Sequence, residues 1–236
     1  MFVGHFGVGL AGKKAAPRVS LGTWFLAAQF LDLLWPIFLL LGWEHVRIVP
    51  GLMKMSALDL YDYPFSHSLV AALVWSALFA SVYQAAGREE TDIAGRRRTA
   101  LLLGGGVFSH WILDVLVHRQ DVPIRPDGPY IGLGLWNMPA VEIPLEGGLY
   151  LVGIVLYLRA TRARDAIGSW GLYVLLALLL FFWLFGAFGP PPPTDPTPMA
   201  WGALSMWLMV LWAYWVDRHR TVATQEASLP PPEARS

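Results

Sequence analysis

Cysteine is absent from the 236 residues, which excludes disulfides and thiolate metal ligands alike. Charge is scarce as well: Asp, Glu, Lys and Arg supply only 14% of the chain and balance to zero at pH 7, which argues against a nucleic-acid partner. The stretch MFVGHFGVGLAGKK has no basic residues ahead of its apolar run, so a cleaved signal peptide is not expected. No long-period repeat is visible, which argues against a solenoid. In place of charge stand 56% hydrophobic residues and 12 Trp, a composition that reads as an integral membrane protein in contact with the lipid bilayer.

The apolar runs predict an all-α, polytopic membrane bundle of about six transmembrane helices. The spans cover about 21–43, 65–86, 99–117, 140–158, 168–188 and 199–216. Residues 1–12 are apolar but too short to cross, and are expected to form a re-entrant or half-spanning helix. Pro36 is expected to kink the first span and release the backbone carbonyl of Asp32. The fifth span reads as a plain lipid-facing or packing helix. Residues 1–220 form one transmembrane domain, and the polar, Pro-rich segment 221–236 is expected to be a disordered cytoplasmic tail.

Basic residues alternate between the loops. Lys13, Lys14, Arg18, Arg88, Arg96, Arg97, Arg98, Arg159, Arg162, Arg164, Arg218 and Arg220 fall on one side, against Arg47, Lys54, Arg119 and Arg125 on the other. The positive-inside rule then places both ends of the six-span core in the cytoplasm.

The chain is organised around GGGVFSHWILDVLVH, residues 104–118, which is apolar enough to cross a bilayer yet carries His110, Asp114 and His118 four residues apart. That spacing stacks the three side chains within about 80° of one helical face. A carboxylate at mid-membrane costs on the order of 3 kcal/mol, so such a face marks a functional candidate. Counted along their spans, His110 and Asp32 both lie roughly 16 Å deep. His67 opens the second span behind Ser66, read as an N-cap, and Glu142 and Glu146 share a face in the first turns of the fourth. His5 reaches the same layer if the N-terminal helix re-enters the membrane. His45 and His219 sit in polar loops and read as solvated residues.

Imidazole and carboxylate together suit zinc and its divalent neighbours, manganese included. Three readings stay open. The first is a metal-dependent hydrolase in which His5, Asp32, His67, His110, Asp114 and His118 hold a divalent ion and Glu146 or Glu142 acts as general base, on a lipid ester or phosphoester or a small molecule entering from outside. The second is a pathway for metal ions or protons. The third is a non-enzymatic membrane protein whose polar layer bonds helix to helix.

The stretches GHFGVGL, QFLDLLWP, PFSHSL and FSHWILD, in that order, resemble the membrane-bound metal-dependent hydrolase family, inner-membrane proteins of which one member is LexA-regulated. Their dispersed His and Asp are also similar to the zinc-dependent phospholipase C type of site. The resemblance covers roughly residues 1–158 and implies a bacterial inner-membrane protein with His5, Asp32, His67, His110 and Asp114 as metal ligands. Where family members often carry a second acid and a His after the first-span Asp, this chain has Leu33, Leu34 and Trp35, which places it in a divergent branch.

Overall fold

The computed structural model describes residues 1–86 and 93–223. Among these, the α-helices are α1 Val3–Ala15, α2 Leu21–Ala28, α3 Phe30–Leu40, α4 Pro64–His67, α5 Leu69–Ala86, α6 Ile93–Val117, α7 Pro139–Ala160, α8 Leu172–Phe188, α9 Pro196–Leu204 and α10 Met206–Arg218. Three antiparallel two-stranded ribbons join them: β1 His45–Ile48 with β2 Leu58–Asp62, β3 Val122–Pro123 with β4 Tyr130–Ile131, and β5 Thr161–Ala163 with β6 Arg220–Val222.

Five helical stretches are long and apolar enough to cross a membrane: α5, α6, α7, α8 with the turn before it, and α9 with α10. The bent pair α2–α3 makes a sixth if counted as one span. Helices suit this composition because every backbone N–H and C=O is satisfied within the segment, where lipid offers no partner. The first span bends by 58° at Gln29, whereas α3 runs on through Pro36. The expected kink is therefore displaced. Gln29 leaves helical geometry and its Nε2 donates to the Phe2 carbonyl at 3.3 Å, so the bend forms where the N-terminal helix packs.

The N-terminal helix α1 is about 20 Å long, too short to cross. It lies against α7 with almost no side chain between them. A Cβ added at Gly7 would fall 2.6 Å from the Leu149 carbonyl oxygen, and one added at Gly153 would strike the Gly7 backbone. Such closeness is how membrane helices gain contact where water gives no hydrophobic drive. At the C-terminal end of α1, Lys13 Nζ donates to Asp217 Oδ2 at 2.6 Å and to the Val19 carbonyl at 3.0 Å, while Tyr157 donates to Asp217 Oδ1 at 2.9 Å. That buried trio joins α1, α7 and α10.

One apolar core gathers Phe6, Leu10, Phe25, Leu175, Leu179, Val210 and Ala213 from α1, α2, α8 and α10. A second gathers Trp24, Leu31, Ala72, Leu103 and Val107 from α2, α3, α5 and α6. The other face of α8 leaves Phe181, Phe182 and Phe185 uncovered, as a lipid-facing helix requires. The two ends of the bundle differ. One carries the Lys13–Asp217 pair and the β5–β6 ribbon. The other carries β1–β2 and β3–β4, stitched by the Arg119–Asp59 ion pair and by the Met55 N–H on the Trp136 carbonyl at 3.1 Å. Thr221 and Val222, expected to belong to a disordered tail, instead pair with Arg162 and Thr161. Residues 224–236, like 87–92 of the charged connector, lie outside the described residues.

Candidate metal centre

Four elements bring their polar side chains together near the end that carries β1–β2 and β3–β4, in two groups that share His110. They are α1 with His5, α3 with Asp32, α4 with His67, and α6 with His110 and Asp114. His110 Nε2 lies 3.5 Å from Asp32 Oδ1 and 3.3 Å from Asp114 Oδ2. His67 Nε2 lies 3.4 Å from Asp32 Oδ1 and 3.6 Å from Asp114 Oδ2. Two nitrogens and two oxygens thus face one another across a space that holds no protein atom bonding them together. The side chains of His67, His110 and Asp114 are at most 5% exposed, whereas that of Asp32 keeps 21%.

Which nitrogen carries the proton in the neutral form of two of these imidazoles follows from what their far nitrogens touch. His110 Nδ1 lies 2.8 Å from the Ala28 carbonyl, which can only accept, so Nδ1 carries the proton and a neutral ring presents a lone pair at Nε2. The Ser66 hydroxyl donates to Glu44 Oε2 at 2.6 Å, and its oxygen is 2.7 Å from His67 Nδ1. With the Ser66 proton spent on Glu44, His67 Nδ1 donates to Ser66 and its Nε2 also points a lone pair inward. His110 Nε2 is buried with no hydrogen-bond partner among the described residues. Lone pairs turned toward carboxylate oxygens repel, and a cation between them removes that cost.

Ser66 is therefore not the helix N-cap expected for it. The chain breaks at Ser68, whose backbone is extended, and the Ser68 hydroxyl accepts the Ala71 N–H at 3.0 Å at the start of α5. His67 ends the single turn α4, and Ser66 instead ties it to Glu44, which also takes the Ser66 N–H at 2.7 Å.

His5 stacks flat on His110, ring centroids 3.6 Å apart and planes within 6°, with its Nε2 3.1 Å from Asp114 Oδ1. The Met1 nitrogen is 2.7 Å from the same oxygen. His118 stands at the edge of the group, Nε2 3.9 Å from Asp114 Oδ1, under the Trp136 ring at a centroid distance of 4.4 Å. Its Nδ1 is 3.3 Å from both Asp121 Oδ1 and the Tyr63 hydroxyl. Burial, reinforced by Asp121 and Asp114, pushes the Tyr63 phenol well above its usual range, so it keeps its proton.

Glu146 and Glu142 stand outside both sets of residues close enough to share an ion, which are His5, His110 and Asp114, and Asp32, His67 and His110. Glu146 accepts the Phe2 N–H, the Gly4 N–H at 3.0 Å and the Trp183 indole N–H at 2.9 Å, and so fastens the N-terminal end of α1. Glu142 is fully buried, and neither of its oxygens has a hydrogen-bond donor among the described residues. His45 pairs with Asp62 in the β1–β2 ribbon, and His219 with Asp165 at the opposite end. Both are surface pairs away from the cluster, as their loop positions led one to expect.

Sequence reasoning missed Glu44, Asp121 and Tyr63, whose work is to fix imidazoles. The signal for Glu44 was faint: an acid next to an apolar span, facing a serine that precedes a histidine. No protein-family model matches the chain, and neither a curated protein nor a solved structure matches it. The likeness to metal-dependent hydrolases rests on the quoted motifs.

Proposed function

We propose that this protein is a membrane-embedded, metal-dependent hydrolase whose ion is held by Asp32, His67, His110 and Asp114. The observation that carries the reading is the set of four nitrogen-to-oxygen distances, 3.3, 3.4, 3.5 and 3.6 Å, four of the six edges of a site with four ligands, in which His110 joins the Asp32 group to the Asp114 group. A tetrahedron with bonds of about 2.0–2.1 Å has edges of about 3.3–3.4 Å. An octahedral magnesium site with similar bonds has edges of about 2.9 Å. Calcium, with longer bonds, would fit the spacing, but it takes oxygen ligands, and half of this set is imidazole. The donors and the spacing together favour zinc, with manganese as the neighbour of similar chemistry.

An ion so placed acts as a Lewis acid and makes water nucleophilic near neutral pH. Asp32, the ligand with most exposure, marks the edge along which water and substrate arrive. In hydrolysis the water oxygen bonds to the acyl carbon or phosphorus, the bond to the leaving oxygen breaks, and a water proton ends on that oxygen. The distribution of basic loops supports a cluster in the outer half of the bilayer, and the resemblance of the motifs supports a bacterial inner membrane; together they favour a lipid ester or phosphoester as substrate.

The test is elemental analysis of protein purified in mild detergent without chelators. The wild type should carry at least one divalent transition metal ion per chain, and the double variant His110→Ala, Asp114→Ala should carry none while remaining inserted. A folded wild type that is metal-free and takes up neither zinc nor manganese would falsify the reading.

A further inference from the structure

Two carboxyl groups stand one turn apart on the same face of α7, outside the ligand set, and both are buried: Glu142 is 0% exposed and Glu146 1%. The donors around them are divided unequally. Glu146 accepts the N–H groups of Phe2, Gly4 and the Trp183 indole. Glu142 accepts none among the described residues, although its carboxyl lies within hydrogen-bonding reach of Glu146. Of the elements packed on this end of α7, α8 supplies the uncharged Trp183 indole, and the residues leading into α1 supply the Met1 nitrogen, whose charge acts on both carboxyls. That nitrogen is itself 2.7 Å from Asp114 Oδ1.

Several N–H donors suit an ionised carboxylate. A second carboxylate beside it, buried and without a donor, would add a like charge where no water screens it. Two acids so placed share one proton. We infer that Glu142 and Glu146 form a proton-binding pair in which Glu142 holds the proton at neutral pH and donates it to Glu146. The inference is independent of any metal. The shared proton gives Glu142 a partner and Glu146 a further donor, and it leaves one negative charge facing the Met1 nitrogen rather than two. In this state Glu142 is an acid, not the base expected of it. Because Glu146 fastens the start of α1, the proton is part of that fastening. Once it leaves, two carboxylates repel across one helical turn and α1 loosens, drawing His5 from its stack on His110.

Infrared spectroscopy of the full-length protein in detergent, with and without isotope-labelled glutamate, tests the pair. At neutral pH the wild type should show the carbonyl stretch of a protonated glutamic acid, shifted by the label, and Glu142→Gln should show one such group fewer per chain. As pH is raised until the band fades, trypsin cleavage at Lys13 and Lys14 should accelerate severalfold in wild type relative to Glu142→Gln, whose amide keeps a donor on Glu146 at every pH. Taking the ratio of the two proteins removes trypsin's own pH dependence. A wild type with no glutamic acid band at neutral pH overturns the pair without any variant. A band of equal strength in Glu142→Gln assigns the proton to another acid and overturns it too. A cleavage ratio that stays level while the band fades overturns the link to α1 and leaves the shared proton standing.

Discussion

Asp32 and His110 meet at 3.5 Å, carboxylate oxygen to ring nitrogen, although they stand on different helices, and the nitrogen is the one turned away from the Ala28 carbonyl. A neutral His110, its proton on Nδ1, cannot satisfy Asp32 without a positive charge between them. Asp32→Asn keeps the shape and one oxygen but removes the charge that binds a cation. The melting temperature of the wild type should rise on adding zinc, and the variant's should rise little. The metal-free variant should be no less stable than the metal-free wild type, since a half-buried carboxylate within a span, costing on the order of 3 kcal/mol, is gone. Equal zinc-induced shifts in both proteins would remove Asp32 from the ligand set.

Ser66 offers a second check, because it never touches the space between the ligands. Ser66→Ala removes the oxygen that fixes His67 Nδ1 and should weaken zinc binding by about 10–100-fold with the protein still folded. Competition against a coloured chelator reads this directly, and unchanged affinity would show that His67 needs no such tether.

Glu146 holds the start of α1 by two backbone N–H groups and reaches Trp183 on α8. Glu146→Ala leaves buried donors unmet, at about 1–3 kcal/mol, and should loosen α1. Trypsin cleavage at Lys13 and Lys14 should accelerate relative to wild type, and Glu146→Gln should fall between the two. If cleavage is as slow in Glu146→Ala as in wild type, the anchoring role fails.

Sidedness is open to reporter fusions. Fusions after Arg98 and Arg164 should read cytoplasmic, and fusions at Asp59, Asp127 and Thr194 external. A cytoplasmic signal at Asp127 would put the ligand cluster in the inner leaflet and end the case for an outer-leaflet substrate.

The legible parts of the site were those written in a helical period or set against an apolar background. His110 and Asp114 announce themselves by a spacing of four within one span, and Asp32 by being an acid inside another. The bend at Gln29 was not legible, because it arises where α1 packs, and a proline seven residues on drew the expectation to itself. His67 was found but its setting was not: one extended residue, Ser68, splits the helix and hands the capping role to a different serine. Glu44 and Asp121 lie in loops, where no periodicity says which way a carboxylate turns.

The backbone contact between Gly7 and Gly153 also predicts an order of assembly. Helix α1 is synthesised well before α7, yet it is too short to cross alone and its seat does not exist until α7 has entered the bilayer. Chains halted before Pro139 should leave Lys13 open to trypsin, and protection there would refute the ordering. His67, His110 and Asp32 come together on the earlier spans, and His5 arrives afterwards to close over His110. The growing membrane protein would therefore pass through a stage with Asp32, His67, His110 and Asp114 in place and the His5 roof still off.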